Sequence, residues 1–262
     1  MPGTATAILT WRDEGAPERR ANLDAVLARL ACMPGFDLIV VEQGPLPRPG
    51  EAPSRARTLF AYNPGAFHPG WGLNLGARAT ANPVLVFGDP DVLPPGTLVA
   101  AAAHAARGWA VVKPTRGRVA LPESASRRVR AQAAGGGPVA IADPGAEEEE
   151  DVLCAGWFAM RRDAFVRVGG FDERFAGEAG RRALSVTIER LRIATLELDE
   201  EPAVRLSSPR AGDRRDPARV DENALLASIE SLDDAALARQ CEIRARYGGG
   251  RDKHRPRAEF GR

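Results

Sequence analysis

Over its first 114 residues the chain alternates short apolar runs with helix-length amphipathic stretches, and few folds accommodate that alternation. Ala5–Trp11 reads as a buried strand. Residues 17–33 carry Leu23, Val26, Leu27, Leu30 and Ala31 at the spacing of one buried helical face. A second strand is expected over 36–41, a short third over Arg57–Tyr62 and a helix over 71–80. A fourth strand over 83–88 leads to a helix over 95–107 and a fifth strand over 109–114. Strands joined through helices of this length need right-handed crossovers. The expected fold class is therefore α/β, with a mostly parallel central sheet flanked by helices.

The alternation then lapses. Residues 115–151 hold basic side chains, an alanine-glycine run ending at Pro138, and an acidic run over 147–151, and are expected to form one long mobile loop. A strand over 152–161 and a short helix over 163–168 resume the pattern, and 219–247 reads as one or two helices. The expected organisation is a domain over 1–210, a helical extension over 211–247 and a flexible, glycine-rich basic tail over 248–262. A net charge of +1 exerts no whole-chain pull toward nucleic acid or acidic membrane, and 6% aromatic residues argue against base-stacking platforms, so no nucleic-acid partner is expected. Cys32, Cys154 and Cys241 are far apart and form no CxxC pair, as in a reduced, cytoplasmic protein. No stretch approaches the roughly 18 apolar residues of a membrane span, and the first residues lack the pattern of a secretion signal.

The informative chemistry follows the fourth strand. In a parallel α/β sheet, ligands collect at the carboxyl ends of strands. Asp89 and Asp91 fall there, and Pro90 restricts Asp89 to an extended conformation. Two carboxylates on such a turn suit a hard divalent cation, which in turn suits a diphosphate. A helix-capping turn ahead of Pro94-Pro95 is the structural alternative.

Several blocks stand in a recognisable order. They are Arg19-Arg20-Ala21-Asn22-Leu23, Ile39-Val40-Val41-Glu42-Gln43-Gly44, Trp71-Gly72-Leu73-Asn74-Leu75-Gly76 and the strand ending Gly88-Asp89-Pro90-Asp91. Gly156-Trp157-Phe158-Ala159-Met160 then runs on to Gly169-Gly170-Phe171-Asp172-Glu173. In this order the chain resembles family-2-type glycosyltransferases of the GT-A fold, and looks most like the β-1,4-galactosyltransferase and chondroitin-polymerase branch. The resemblance implies an inverting transfer from a nucleotide-sugar donor, a UDP-sugar, to a hydroxyl on a sugar, glycan or small-molecule acceptor, with Mn²⁺ or Mg²⁺ as cofactor. It further implies that Thr10 and Arg12 lie near the base, that Glu42 or Gln43 bonds the uracil or ribose, and that Asn74 supports the nucleoside or phosphate side. Asp89 would contact the ribose or donor sugar and Asp91 the metal. Gly156 and Trp157 would line the donor-sugar and acceptor pocket, with Asp172 and Arg181 beside it.

The chain departs from the family in two places. Arg181-Arg182 stand about where the family has an acidic pair that includes the catalytic base, leaving Glu178 as the nearby carboxylate for that role. No histidine falls in 203–209, where the family has a metal ligand. A non-catalytic domain of the same fold, binding a nucleotide, a sugar or a protein, is therefore the alternative reading. A nucleotidyltransferase or a dinucleotide-binding dehydrogenase would need a glycine-rich phosphate loop after the first strand, and there is none.

Overall fold

The computed structural model describes residues 4–47, 56–134, 147–149, 152–154, 156–177, 179–198, 201–208 and 221–247. Strand β1 (Ala5–Trp11) is buried along its whole length. Ala5, Ala7 and Leu9 face one layer of core and Ile8 the other, which is why the run is continuously apolar and not alternating. Helix α1 (Pro17–Ala31) begins with proline in its first turn, where the missing N–H costs nothing, and buries Leu23, Val26, Leu27 and Leu30. Strands β2 (Phe36–Gly44) and β3 (Arg57–Tyr62) follow, then helix α2 (Pro69–Arg78), strands β4 (Val84–Phe87) and β5 (Val92–Leu93), helix α3 (Leu98–Ala106) and strand β6 (Val111–Lys113). The remaining elements are β7 (Arg118–Ala120), α4 (Glu123–Ala134), β8 (Glu147–Glu149), β9 (Phe158–Arg161), α5 (Arg162–Arg167), α6 (Ala179–Arg190), β10 (Thr195–Glu197), β11 (Ala203–Arg205), α7 (Glu222–Glu230) and α8 (Asp234–Tyr247).

The main sheet has seven strands in the order β10-β6-β9-β4-β1-β2-β3. All neighbours are parallel except β9, which runs antiparallel between β4 and β6. The chain builds β1, β2 and β3 in one direction and then returns to the other side of β1 for β4. The crevice at that reversal, beside the carboxyl ends of β1 and β4, is where open α/β sheets bind ligands. A second sheet of four strands, β5-β11-β7-β8, stands beyond the end of β4.

The structure corrects the sequence expectation at two points. Of the expected loop over 115–151, the described residues carry β7, α4 and β8, with α4 packed on α1, while 135–146 and 150–151 lie outside the described residues. The buried side of α4 is Ala125, Val129 and Ala133 around Ser126, small residues whose spacing gives a weak apolar signal. Its Arg130 donates to Asn22 Oδ1, Glu123 and the Ser207 carbonyl, so a charged residue does the joining. The strand expected over 152–161 occupies only Phe158–Arg161, because Gly156 adopts φ +67° and breaks the extended run. Helices α7 and α8 are packed on the body of the protein, with Leu226, Ile229, Leu237 and Cys241 forming one cluster with Phe175 and Ala183. Among the described residues, no helix is long and apolar enough to cross a membrane.

The two halves of the chain meet through Asn74 on α2. Its Nδ2 donates to the Phe171 carbonyl at 2.9 Å and to Glu173 at 2.8 Å, and its Oδ1 accepts from the Phe171 N–H at 3.0 Å. The turn it grips needs its glycines. Gly169 and Gly170 have φ of +75° and +67°, and a Cβ at Gly170 would lie 2.8 Å from Asn74 Oδ1. Asn74→Ala strands both backbone groups of Phe171 in a buried setting. It is expected to cost about 2–4 kcal/mol and lower the melting temperature by about 5–10 °C, as read by calorimetry.

Candidate active site

A cavity of about 430 Å³ opens at the carboxyl edge of the main sheet, at the reversal between β1 and β4. Of the residues singled out from sequence, Thr10, Arg12, Asp89, Asp91, Asp172 and Arg181 share its wall. Glu178 lies outside the described residues, although Gly177 and Gly180 on either side of it are on the wall.

The other residues singled out have framework positions. Gln43 is buried, and its amide bonds in four directions. Nε2 donates to Thr10 Oγ1 at 3.0 Å and to the His68 carbonyl at 2.8 Å, while Oε1 accepts from Asn63 Nδ2 at 3.0 Å and from the His68 N–H at 3.1 Å. Its hydrogen-bonding capacity is thus spent on fixing β1, β2 and the start of α2. Glu42 is buried at the end of β2, off the cavity wall, and Asn74 is committed to the Phe171 turn. Trp157 is fully buried and does not line the pocket expected of it. Its indole N–H donates to the Val92 carbonyl at 2.7 Å, and its ring lies so close to Gly88 that a Cβ there would sit 2.4 Å away. Trp157 therefore sets the direction in which the chain leaves β4, and so the aim of the aspartates that follow. Gly156, beside it, is likewise off the wall.

On the wall itself, Thr10 Oγ1 donates to the Val41 carbonyl at 3.1 Å, which anchors the end of β1. Asp89 forms an ion pair with Arg181, whose other terminal nitrogen donates to the Cys154 carbonyl at 2.8 Å. Asp91 is half-buried on the same wall. Burial, and then the like charge of Asp89, push its carboxyl up to about 6, with Arg205 and Arg19 opposing the shift. Its backbone carbonyl accepts from the Leu206 N–H at 2.7 Å, which ties the aspartate turn to β11. Burial also works against the charge of Asp172, but hydrogen bonds from Arg174 and the nearby charge of Arg244 on α8 outweigh it and hold this carboxyl below its ordinary value.

Sequence reasoning gave no site role to Arg19, Arg118 and Arg205, which also line the cavity. Arg118 and Arg205 sit on β7 and β11, strands that the apolar pattern did not reveal. An apolar side of the wall, including Trp11, Phe67, Leu73 and Phe171, completes it.

The donor set does not match the divalent cation implied by the resemblance. Asp89 is already paired with a guanidinium, and among the described residues no three His, Cys, Asp or Glu side chains group to hold a metal. In the stretch where the resemblance implied a histidine, the chain presents Arg205 and Ser208 to the cavity.

No family model matches the chain, and no curated protein matches it. Solved structures do match in fold. The mannosyltransferase PcManGT from Pyrobaculum calidifontis, in complex with GDP-Man and Mn²⁺, is 18% identical with a TM-score of 0.53, over 95% of this chain and 74% of that one. TarS from S. aureus is 11% identical with a TM-score of 0.54, over 90% of this chain but 41% of its own. The fold is that of the GT-A glycosyltransferases.

A carboxyl whose pKa is raised on folding costs stability wherever it is ionised, so the cost is absent in acid and grows as pH rises from about 4 through 6. Asp91→Asn removes it. The variant is expected to melt about 2–4 °C higher than the parent at pH 8, a gain on the order of 1 kcal/mol, with the difference closing as the pH is lowered toward 4. Melting scans across that range check it.

Proposed function

We propose that the protein is a glycosyltransferase that moves a sugar from a nucleotide-sugar, a UDP-sugar, to an acceptor hydroxyl with inversion at the anomeric carbon. The observation that carries this reading is the pair Asp89 and Asp91 on the wall of a cavity at the sheet's reversal point. A volume of about 430 Å³ suits a bound small molecule, in the usual range of roughly 300–1,000 Å³. The apolar side, with Trp11 and Phe67, suits a base or sugar face, Asp89 suits sugar hydroxyls and Arg12 suits phosphate oxygens. The order of sequence blocks supports the β-1,4-galactosyltransferase and chondroitin-polymerase branch within this class, and a cytoplasmic setting is proposed from the cysteine usage.

Inversion needs one carboxylate to take the acceptor hydroxyl's proton as its oxygen attacks the anomeric carbon. The bond to the diphosphate breaks, and its electron pair leaves with the nucleotide. Glu178, between two wall glycines, is assigned this base role. Asp91 is the second candidate, favoured by a pKa of about 6 that suits proton transfer near neutral pH. With the divalent cation not matched by the donor set, no step is routed through it.

In a donor and acceptor panel, Glu178→Gln is expected to lower turnover at least ~10²-fold while donor affinity changes only a few-fold. If the proton goes to Asp91, Glu178→Gln leaves turnover unchanged, Asp91→Asn abolishes it, and the acid limb of the pH-rate profile falls near 6. Nucleotide binding without turnover of any donor would establish the non-catalytic alternative, which the Asp89–Arg181 ion pair favours.

A further inference from the structure

We propose that the diphosphate of the donor is held in this cavity by guanidinium groups, Arg181 foremost, and that nucleotide binding requires no divalent cation. The inference rests on the nucleotide-sugar reading above and specifies how the charged part of that ligand is met.

The first support is the charge on the wall. Five arginines line the cavity, Arg12, Arg19, Arg118, Arg181 and Arg205, against three carboxylates, Asp89, Asp91 and Asp172. Asp172 is neutralised from outside the cavity by Arg174 and Arg244, neither of which lines it, while Arg19 is paired outside it with Glu14. Guanidinium groups therefore outnumber carboxylates among the described residues of the wall. A divalent cation entering alone would meet that excess, whereas a diphosphate would be drawn to it.

The second support is the state of Arg181. Its side chain is only 12% exposed, and it is fixed at two ends, by the Cys154 carbonyl at 2.8 Å and by Asp89. A guanidinium held in this way has already lost most of its rotamer freedom, so little more is lost when it binds an oxyanion. Its planar fork also matches phosphate oxygens. The carboxylate it holds is one of the two on the turn that suits a cation, so a metal at Asp89 would compete with the ion pair. Arg19 and Arg205 add their charge beside Asp91, the other carboxylate a metal would need.

The third support is where the cations come from. Arg181 stands on α6 about where the resemblance gave an acidic pair, and Arg205 stands on β11 where it gave a metal-binding histidine. Each departure substitutes a positive side chain, and both substitutions face one cavity. Together they bring positive charge to the cavity where the resemblance implied a catalytic acid and a metal ligand.

Titration calorimetry of the full-length protein with UDP, GDP and UMP, in EDTA and then with excess Mn²⁺, tests this. UDP or GDP is expected to bind in EDTA with a dissociation constant within about threefold of that in Mn²⁺. Arg181→Met is expected to weaken diphosphate binding in EDTA at least about tenfold and UMP binding by much less. Arg205→Gln, at a second wall position, is expected to weaken the diphosphate in the same direction and serves if Arg181→Met does not fold. Binding that appears only with Mn²⁺, or that neither substitution weakens, overturns the inference while leaving the glycosyltransferase reading intact. If neither diphosphate binds in either buffer, the nucleotide-sugar reading fails, and this inference fails with it.

Discussion

The amide of Asn74 is the interaction on which the cavity depends. It binds both backbone groups of Phe171, 97 residues away in sequence, in a setting where an unmet donor or acceptor is costly. The aspartate turn after β4 belongs to one half of the chain and the Gly169-Gly170-Phe171 turn to the other. A site shared between them exists only while α2 and that turn stay in register. Gly170 belongs to the same joint, because a Cβ there would run into the amide, whereas one at Gly169 would meet Cys241 and Arg244 of α8. Gln43 does similar work one strand over, holding β1, β2 and the approach to α2 together.

This dependence explains what the sequence disclosed and what it hid. Strands β1, β2, β4 and β6 and helices α1 to α3 stood out because each buries an apolar face, and β1 and β3 match their expected limits residue for residue. Asp89, Asp91 and Arg181 were legible as wall residues because charges after a buried strand, or in place of an expected acid, have few uses. Asn74, Gln43 and Trp157 were equally visible as motif residues, yet their side chains face inward. A buried amide satisfied by backbone and a ligand-binding amide are the same letter, and only the partners tell them apart. Helix α4 was hidden by a buried side of alanine, valine and serine, and β7 and β11 by being three residues long. The arginines on those two strands were hidden with them.

The electrostatics of the wall follow from the same layout. Two neighbouring aspartates at the end of a buried strand repel each other and are poorly solvated, as the raised pKa of Asp91 records. The protein answers this with arginines from five separate elements or turns, brought together only by the fold. The second sheet matters for this reason. Its β5 and β11 bury Val92, Leu93, Ala203 and Val204 in the main core, and β7 and β11 deliver two cations to a site whose paired aspartates follow β4 of the first sheet.

Phe171 has one further consequence. Its ring packs edge-on against Phe87 with centroids 5.1 Å apart, and it also meets Phe158 and Phe165, while another part of the same residue forms the cavity wall. The wall on that side is the outer surface of the aromatic core. A change that reshaped the cavity there would have to be accommodated by three other rings in a densely packed interior. Evolution of a new ligand preference is thus channelled away from this side, toward the arginine-bearing strands and the segment around Gly177, where substitutions can be tried without reopening the core.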